Sequence, residues 1–199
     1  HSACNYRCVM CQKTDDAYWK TQKEGEMSWD IFKSIVDECA DIGVFSMKVN
    51  WRGEPTLHHK LPEMIFYMKQ RGIHEVLMNT NGSRMDEELA RKIIISGLDR
   101  IIFSCDGVSK ETYNKIRRGG DWDNFYRNVK TFSNICKAYK KLNILVPIIR
   151  INTAVMEENL HEVPRFKEVF DGIADEIRYN TVYNPQSSNK HLKDRRRQV

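Results

Sequence analysis

The chain has few cysteines outside its first eleven residues, and they do not form a pattern typical of disulfide pairs. Cys39, Cys105 and Cys136 stand singly at apolar positions of predicted elements, where a thiol acts as a small apolar side chain. This scatter argues against the disulfide scaffold of a small secreted domain. The sequence also lacks an apolar run near the roughly 20 residues that a membrane helix needs. The unpaired thiols favour a reducing compartment, the cytoplasm.

Charge of one sign is also scarce over most of the chain. Lysine and arginine number 32 against 27 aspartates and glutamates, which gives a formal net charge of +5 at pH 7. Much of that excess lies in the final segment, residues 190–197. A solvated terminal helix or linker explains this segment better than a nucleic-acid contact. The composition is that of a globular protein whose 199 residues can build one core.

The other three cysteines, Cys4, Cys8 and Cys11, stand within eight residues near the start of the chain. Three thiolates on one short loop can hold three irons of a four-iron cube, which leaves the fourth iron open to another molecule. A structural zinc site usually takes four protein ligands in two pairs. The only nearby fourth candidate is His1, since the next histidines follow far along the chain. The spacing therefore favours an iron–sulfur cluster over zinc.

Predicted helices and strands alternate along the chain. Ser28 is expected to cap a helix that ends near Gly43, and Pro62 lies in the first turn of a helix that Gly72 closes. Further helices are expected over 86–96, shortly after Gly107, around 125–135 and over 160–170, with strands over 45–51, 75–80, 100–105, 144–155 and 176–182. This alternation predicts a parallel sheet wrapped by helices, open or closed into a barrel.

Alternate positions of three predicted strands are polar. Arg150 and Asn152 alternate with Ile149 and Ile151, for example, and side chains two residues apart lie on the same face of a strand. A parallel sheet covered on both faces would instead read as nearly continuous apolar runs. Burying these groups without partners would cost roughly 1–3 kcal/mol each. The pattern therefore predicts an interior filled by water or a polar ligand.

Two further motifs follow predicted strands. Arg52-Gly53-Glu54-Pro55 follows the first strand, and Ser104-Cys105-Asp106-Gly107 ends the third. With the cysteine run, they resemble in kind and order the motifs of the radical S-adenosylmethionine (radical SAM) enzymes. The resemblance covers residues from Cys4 to about 182, although Arg52 replaces the first glycine of the family's Gly-Gly-Glu-Pro motif.

The resemblance implies two cofactors and a set of residues that bind them. Cys4, Cys8 and Cys11 would bind a 4Fe-4S cluster as metal ligands and catalytic residues, and the open iron would bind S-adenosylmethionine. A turn with Gly53 lets backbone approach a ligand closely, and a carboxylate suits an ammonium, which is the expected role of Glu54. The remaining expected contacts to the cofactor's adenine, ribose and carboxylate are Met10, Ser104, Arg117 and Asn152.

The implied fold is a partial (β/α)6 barrel with parallel strands. Residues 1–183 would form the core domain, with the first strand largely missing, and residues 184–199 would be a linker or the start of a C-terminal extension. The Ser-x-Asp-Gly turn resembles the subgroup that carries a cluster-binding extension called SPASM. Strand parity alone places the following residues on the expected substrate side: Lys48, Asn50, Arg150, Arg178 and Asn180.

The implied reaction is reductive cleavage of S-adenosylmethionine to a 5′-deoxyadenosyl radical that abstracts hydrogen from a substrate. Two outcomes stay open, oxidation of an alcohol in a sugar or aminocyclitol and modification of a peptide, and an external donor such as flavodoxin or ferredoxin would supply the electron. One alternative is a non-catalytic metal-binding module whose basic tail binds RNA. A cofactor-free barrel hydrolase is the other, but the sequence offers it no convincing nucleophile and base.

Overall fold

The computed structural model describes residues 2–15 and 24–181. Its α-helices are α1 (Trp29–Asp41), α2 (Leu61–Gln70), α3 (Glu87–Ile95), α4 (Lys110–Ile116), α5 (Trp122–Lys141) and α6 (Phe166–Val169). Its strands are β1 (Ser46–Lys48), β2 (Glu75–Thr80), β3 (Arg100–Ser104), β4 (Ile148–Val155) and β5 (Glu176–Thr181). Short 3-10 turns occur at Gln12–Thr14, Pro55–Leu57 and Leu160–Arg165. None of the helices in these two ranges is both long and apolar enough to cross a membrane.

Side-chain caps fix where several helices begin. The Ser28 side chain accepts a hydrogen bond from the Ile31 amide at the start of α1, as the sequence predicts. Asp86, Ser109 and Asp121 cap α3, α4 and α5 in the same way. Each cap satisfies one amide that has no partner within its helix. These local signals explain why the predicted helix starts agree closely with the structure.

The five strands form one parallel sheet in the order β1-β2-β3-β4-β5. Since sequential strands are neighbours throughout, each connecting helix packs on the same face of the sheet. That face carries the main core, in which Phe103 of β3 lies against Phe125 and Phe132 of α5 with ring centroids 6.3 and 5.6 Å apart. The predicted α/β class with a partial parallel barrel is confirmed.

Strand β1 is shorter than the predicted 45–51, because its backbone pairing with β2 ends early. Register pairs run only from Ser46 to Lys48. Beyond them the Val49 amide donates to the Leu77 carbonyl. The next amide of β2, that of Asn79, donates to the Asn50 side chain at 2.8 Å instead of to a backbone carbonyl. The Asn50 side chain thus replaces a backbone carbonyl as the partner of β2. The backbone after β1 can therefore turn away from the sheet.

Proline changes two more boundaries. Strand β4 starts at Ile148 rather than at 144, after Pro147, which has no amide to donate to a ladder. The helix predicted over 160–170 is divided into the 3-10 turn Leu160–Arg165 and the short helix α6. Pro164 lies within the 3-10 turn, and a proline removes a helical hydrogen bond and crowds the preceding turn. The end of the predicted strand 176–182 lies at residue 182, outside the described residues.

The face of the sheet opposite the helices is called the inner face here. Burial confirms the predicted alternation in β4, since Ile149, Ile151 and Thr153 are buried while Arg150 and Asn152 are half-buried. Register pairs place Asn152 beside Ser104 and Arg178. Four of the five predicted substrate-side residues therefore belong to this face, namely Lys48, Arg150, Arg178 and Asn180. Asn50 lies beyond the end of β1, where its side chain accepts from the Asn79 amide. The exception to the pattern is β3, where Ile102 on the inner face is also buried.

Candidate cofactor site at the carboxyl ends of the strands

A cavity of about 370 Å³ opens where β1, β2 and β3 end. The N-terminal cysteine loop forms one side of it, and the turns that follow the strands form the other. Eight of the nine predicted site residues line it, namely Cys4, Cys8, Met10, Cys11, Gly53, Glu54, Ser104 and Arg117. The ninth, Asn152, is not among the described lining residues but is the register partner of Ser104 on β4. The structure thus brings together residues as far apart in sequence as Cys8 and Arg117, which are separated by 109 positions.

The cysteine loop is held by backbone pairing with the segment that follows α4. The Arg7 amide donates to the Arg118 carbonyl at 2.8 Å, and the Val9 amide donates to the Ile116 carbonyl at 2.9 Å. Because these two bonds alternate along antiparallel segments, Cys8 lies opposite Arg117. The Arg117 Nη1 atom is 4.0 Å from the Cys8 Sγ atom. A cation therefore lies beside one of the three predicted metal ligands.

Two glycines after Arg117 make this close pairing possible. The sequence suggests only a break between helices at Gly119-Gly120. In the structure, a Cβ on Gly120 would come within 2.8 Å of the Tyr6 ring and 2.8 Å of the Arg117 carbonyl oxygen. Tyr6, from the cysteine loop, is buried at 3% exposure. The absence of side chains at Gly119 and Gly120 therefore lets the cysteine loop pack closely against this segment.

All three loop cysteines are free and half-buried. Burial raises the pKa of Cys8 to about 12, and the nearby Arg117 guanidinium acts in the opposite direction. Burial also raises the pKa of Cys4. Cysteine binds metal as a thiolate, so metal binding there releases protons. Three sulfur donors on one cavity wall, with no fourth cysteine among the described lining residues, fit a cluster that keeps one iron open.

The Glu54 side chain is fully engaged by the protein. Its Oε1 atom accepts hydrogen bonds from the amide and hydroxyl of Thr56 at 3.1 and 2.7 Å and from the Thr80 hydroxyl at 2.7 Å. Its Oε2 atom accepts from the Asn81 amide at 2.7 Å. Burial raises the pKa of this carboxyl, while the hydrogen bonds act to lower it. In this geometry Glu54 shapes the turn that follows β1.

The turn Thr80-Asn81-Gly82 has more importance than its sequence suggests. Besides holding Glu54, Asn81 donates from Nδ2 to the Asn5 side chain at 2.9 Å. Asn5 in turn donates to the Ser83 hydroxyl at 2.9 Å. The turn therefore fixes both the Glu54 turn and the cysteine loop. The sequence Thr80-Asn81-Gly82 is equally compatible with an ordinary turn.

Asp106 is a buried residue next to Arg117 for which the sequence predicts no role in the site. Its side chain is wholly buried, and its Oδ2 atom is 2.6 Å from the Nη2 atom of Arg117. Burial raises the pKa of Asp106, and the Arg117 guanidinium opposes that rise. Arg117 itself is 7% exposed. The Arg117 guanidinium therefore lines the cavity, and the buried Asp106 carboxylate balances its charge.

A network around β4 holds Asp106 in place. The Ala154 amide donates to Asp106 Oδ1 at 2.6 Å, and Asn159 donates to the Asp106 carbonyl at 3.0 Å. Glu162 accepts from the Val108 amide at 2.6 Å and from the Thr112 hydroxyl at 2.9 Å, which fixes the start of α4. These contacts span about fifty residues and carry no motif. Nothing in the sequence marks them.

Three buried polar atoms at or beside the cavity have no hydrogen-bond partner within the described residues. They are Arg117 Nε, Asn79 Oδ1 and Asn152 Oδ1. Arg117 and Asn79 line the cavity, and Asn152 adjoins Ser104 on the inner face. A buried polar group without a partner costs about 1–3 kcal/mol. Such groups fit a site that completes its hydrogen bonds with a polar ligand.

A second group of possible metal ligands, Glu26, His58 and His59, lies behind β1. The Lys60 amide donates to His58 Nδ1 at 3.1 Å, so a neutral His58 ring carries its proton on Nε2. That nitrogen is 3.2 Å from the Met27 carbonyl oxygen and 3.1 Å from a Glu26 carboxylate oxygen. His58 thus connects the segment around Met27 to the start of α2 by hydrogen bonds that involve both ring nitrogens. A neutral His58 therefore offers no free nitrogen lone pair to a metal.

Fold and site together define an iron–sulfur protein built on an open parallel half-barrel. The model of the radical SAM superfamily matches residues 1–163. The chain belongs to this superfamily, whose members use a 4Fe-4S cluster and S-adenosylmethionine. The predicted family and the two predicted cofactors are thus confirmed. The SPASM subgroup stays a prediction.

Similar sequences include probable GTP 3′,8-cyclases of archaea. The protein from Methanococcus maripaludis is 28% identical over 162 residues, which are 81% of this chain and 50% of that protein. The one from Saccharolobus solfataricus is 31% identical over 147 residues, 72% of this chain and 45% of that protein. The chain therefore spans about half the length of these relatives.

Similar solved structures support the fold. Streptococcus suis SuiB bound to S-adenosylmethionine has a TM-score of 0.73 at 14% identity. The match covers 98% of this chain and 41% of the SuiB chain. Methylornithine synthase has a TM-score of 0.60 at 13% identity, and the match covers 96% of this chain and 57% of the synthase chain. At such identities the likeness concerns the fold alone.

Proposed function

We propose that this chain is the catalytic core of a radical SAM enzyme that generates a 5′-deoxyadenosyl radical for hydrogen abstraction. One observation carries the proposal: three free cysteines line the same cavity as Arg117 and Asn79, whose Nε and Oδ1 atoms are buried without a hydrogen-bond partner within the described residues. Parallel α/β folds bind ligands at the carboxyl ends of their strands. Family membership supplies the type of reaction.

Cys4, Cys8 and Cys11 would hold the cluster, which when reduced supplies the electron that cleaves S-adenosylmethionine. The Arg117 Nε–H donor, free of a partner within the described residues, suits the carboxylate of the cofactor's methionine part. Glu54 holds the turn at 52–54 by its four hydrogen bonds. We propose that it presents the backbone of this turn to the methionine ammonium and acts through the turn's shape.

The ribose and adenine contacts stay with the residues that the sequence predicts. Met10 and Ser104 line the cavity, and a thioether packs favourably on an aromatic ring. Asn152 lies beside Ser104 and has an unpartnered oxygen within the described residues, which can accept from a ribose hydroxyl. These three residues would orient the adenosyl part toward the inner face.

The substrate and the electron donor are further proposals. The relatives' names point to a nucleotide substrate in those proteins, whereas the resemblance of the motifs implies alcohol oxidation in a sugar or aminocyclitol, or peptide modification. We propose a substrate lying against the inner face, with a flavodoxin or ferredoxin in the cytoplasm as the external donor. Residues 184–199 are proposed to lead into a C-terminal extension, and residues from 182 onward lie outside the described ones.

Anaerobic reconstitution with iron and sulfide tests the proposed function. The wild-type chain should gain a broad absorbance in the visible blue that is lost on reduction, and it should form 5′-deoxyadenosine from S-adenosylmethionine. Cys8→Ala removes one of three thiolate ligands, so we expect 5′-deoxyadenosine formation to fall at least about a hundredfold, as for other groups that act as one unit.

Cys39→Ala is the matched control, because Cys39 lies in α1 away from the cavity. This variant should keep the absorbance and the cleavage rate of the wild type. Cleavage by Cys8→Ala at the wild-type rate would overturn the proposal. A colourless wild-type protein that retains zinc would favour the alternative, the metal-binding module.

A further inference from the structure

Arginines from two strands share one carboxylate on the inner face. The Arg100 Nη1 atom lies 3.1 and 3.0 Å from the two carboxylate oxygens of Glu176. The Arg150 Nε atom lies 2.5 Å from the Glu176 Oε2 atom. The two arginine side chains are only 17% and 15% exposed. This group, called the arginine pair below, joins β3, β4 and β5.

The arginine pair leaves most of its donors unused. Arg100 engages Nη1 and Arg150 engages Nε. Within the described residues, no hydrogen bond involves Nε and Nη2 of Arg100 or the two Nη atoms of Arg150. A guanidinium has five N–H donors in a fixed fork. The two guanidinium groups therefore keep further donors, none of them a buried unpartnered atom within the described residues, besides those that bind Glu176.

The inner face as a whole carries excess positive charge. Register places Lys48 in the same row as Arg100, with Leu77 between them, and Arg178 beside Asn152. No carboxylate pairs with Lys48 or Arg178 in residues 2–15 and 24–181. The inner-face carboxylates are Glu176 and Glu75, and Glu75 accepts from the Ser46 hydroxyl. Four cations thus face two carboxylates.

We infer that the arginine pair binds an oxyanion group, a phosphate or a carboxylate, of the substrate. The inference rests on the proposed function, because it takes the inner face as the substrate side. Paired guanidinium forks bind the oxygens of such groups through parallel charge-assisted hydrogen bonds. Glu176 has a defined part in this site: it holds the two forks in place and also lowers their attraction for an anion.

That double role of Glu176 gives a test by calorimetric titration at low salt, with inorganic phosphate and succinate as separate probes. Arg150→Gln should weaken binding of the preferred probe about tenfold or more, as expected for a lost charge-assisted contact. Glu176→Gln should tighten it several-fold, because the competing carboxylate is gone. A merely structural salt bridge predicts no tightening. The stronger probe identifies the oxyanion class.

Arg91 and Glu87 provide matched controls, because they form an exposed pair on the outer helix α3 with 2.6 Å between Nη2 and Oε1. Arg91→Gln and Glu87→Gln change the net charge by the same amounts and should leave probe binding within about twofold, since exposed charges are screened. Arg150→Lys keeps the positive charge and reports on folding. It should retain more binding than Arg150→Gln, with the same thermal unfolding midpoint as Arg150→Gln.

Two results would overturn the inference: no binding of either probe by the wild type at millimolar concentration, or equal effects of Arg150→Gln and Arg91→Gln. Weaker binding in Glu176→Gln would also count against it. Formation of 5′-deoxyadenosine by the same wild-type preparation is measured in parallel. Cleavage without anion binding would refute only the oxyanion site. Anion binding without cleavage would refute the proposed function.

Discussion

Two buried carboxylates support the cavity, Glu54 from its lining and Asp106 from behind Arg117, and they are held by opposite kinds of partner. Glu54 accepts hydrogen bonds from the neutral donors of Thr56, Thr80 and Asn81. Asp106 instead faces the Arg117 guanidinium at 2.6 Å. A carboxylate with several neutral donors fixes backbone shape, whereas one that balances a buried cation keeps that cation available. The two sides of the cavity thus divide shaping and charge between them.

The largest expected effect comes from removing the ion pair between Asp106 and Arg117, on the charged side of the cavity. Asp106→Asn leaves the Arg117 guanidinium buried beside a neutral amide, and losing one partner of a buried pair typically costs about 3–5 kcal/mol. We expect a loss of this size in the free energy of unfolding, measured by urea denaturation of the cluster-free protein. Asp123→Asn removes a carboxylate from the exposed pair with Lys110 and should have a much smaller effect.

A double variant separates an unpaired charge from a local packing defect. If the loss arises from the buried cation, Asp106→Asn combined with Arg117→Gln should regain part of the stability that Asp106→Asn loses. If the double variant is less stable than Asp106→Asn alone, the ion-pair account of this side of the cavity is wrong.

A medium effect is expected where the cysteine loop docks. Gly120→Ala places a methyl group 2.8 Å from the Tyr6 ring, and overpacking of this kind costs about 1–3 kcal/mol. Because the loop carries the cysteines, we also expect less iron per chain after reconstitution, measured by iron analysis. Gly25→Ala is the control, since its Cβ meets nothing within 4 Å. Equal iron content in the two variants would contradict the docking role.

The smallest effect concerns the neutral side. Glu54→Gln keeps the oxygen that three donors share but turns an amide group toward the Asn81 N–H, so about one hydrogen bond, about 1 kcal/mol, is lost. Burial raises the pKa of Glu54 above its ordinary value of 4.5. The stability that this group contributes is therefore present below pH 4.5 and is lost as pH rises through the folded-state pKa.

Glutamine does not titrate, so the stability difference between wild type and Glu54→Gln should shrink as pH rises from 4.5. Urea unfolding of both proteins over a pH series measures that difference. A difference that grows with pH would mean that hydrogen bonding outweighs burial and holds the pKa of Glu54 below its ordinary value. The contrast between the two sides of the cavity would then be one of degree.

Predictions from the sequence succeeded where the signal is local. The iron–sulfur cluster that the cysteine spacing indicates, the helix cap at Ser28 and the polar alternation of β4 each depend on residues within one segment. Element ends were less predictable, because the Asn50 side chain replaces a ladder carbonyl and Pro164 divides a helix. Such substitutions depend on a neighbouring strand or turn that the local pattern does not contain.

The sequence by itself determined the donor set, since three thiols within eight residues lie on one loop in any fold that keeps the loop together. It also determined the α/β class through hydrophobic periodicity. Only the tertiary structure decided that Asp106 pairs with Arg117, that Asn81 holds Glu54, and that Arg100 and Glu176 meet across 76 residues of chain. These pairings depend on strand register and loop docking, which the packing of the whole core fixes and no local pattern encodes.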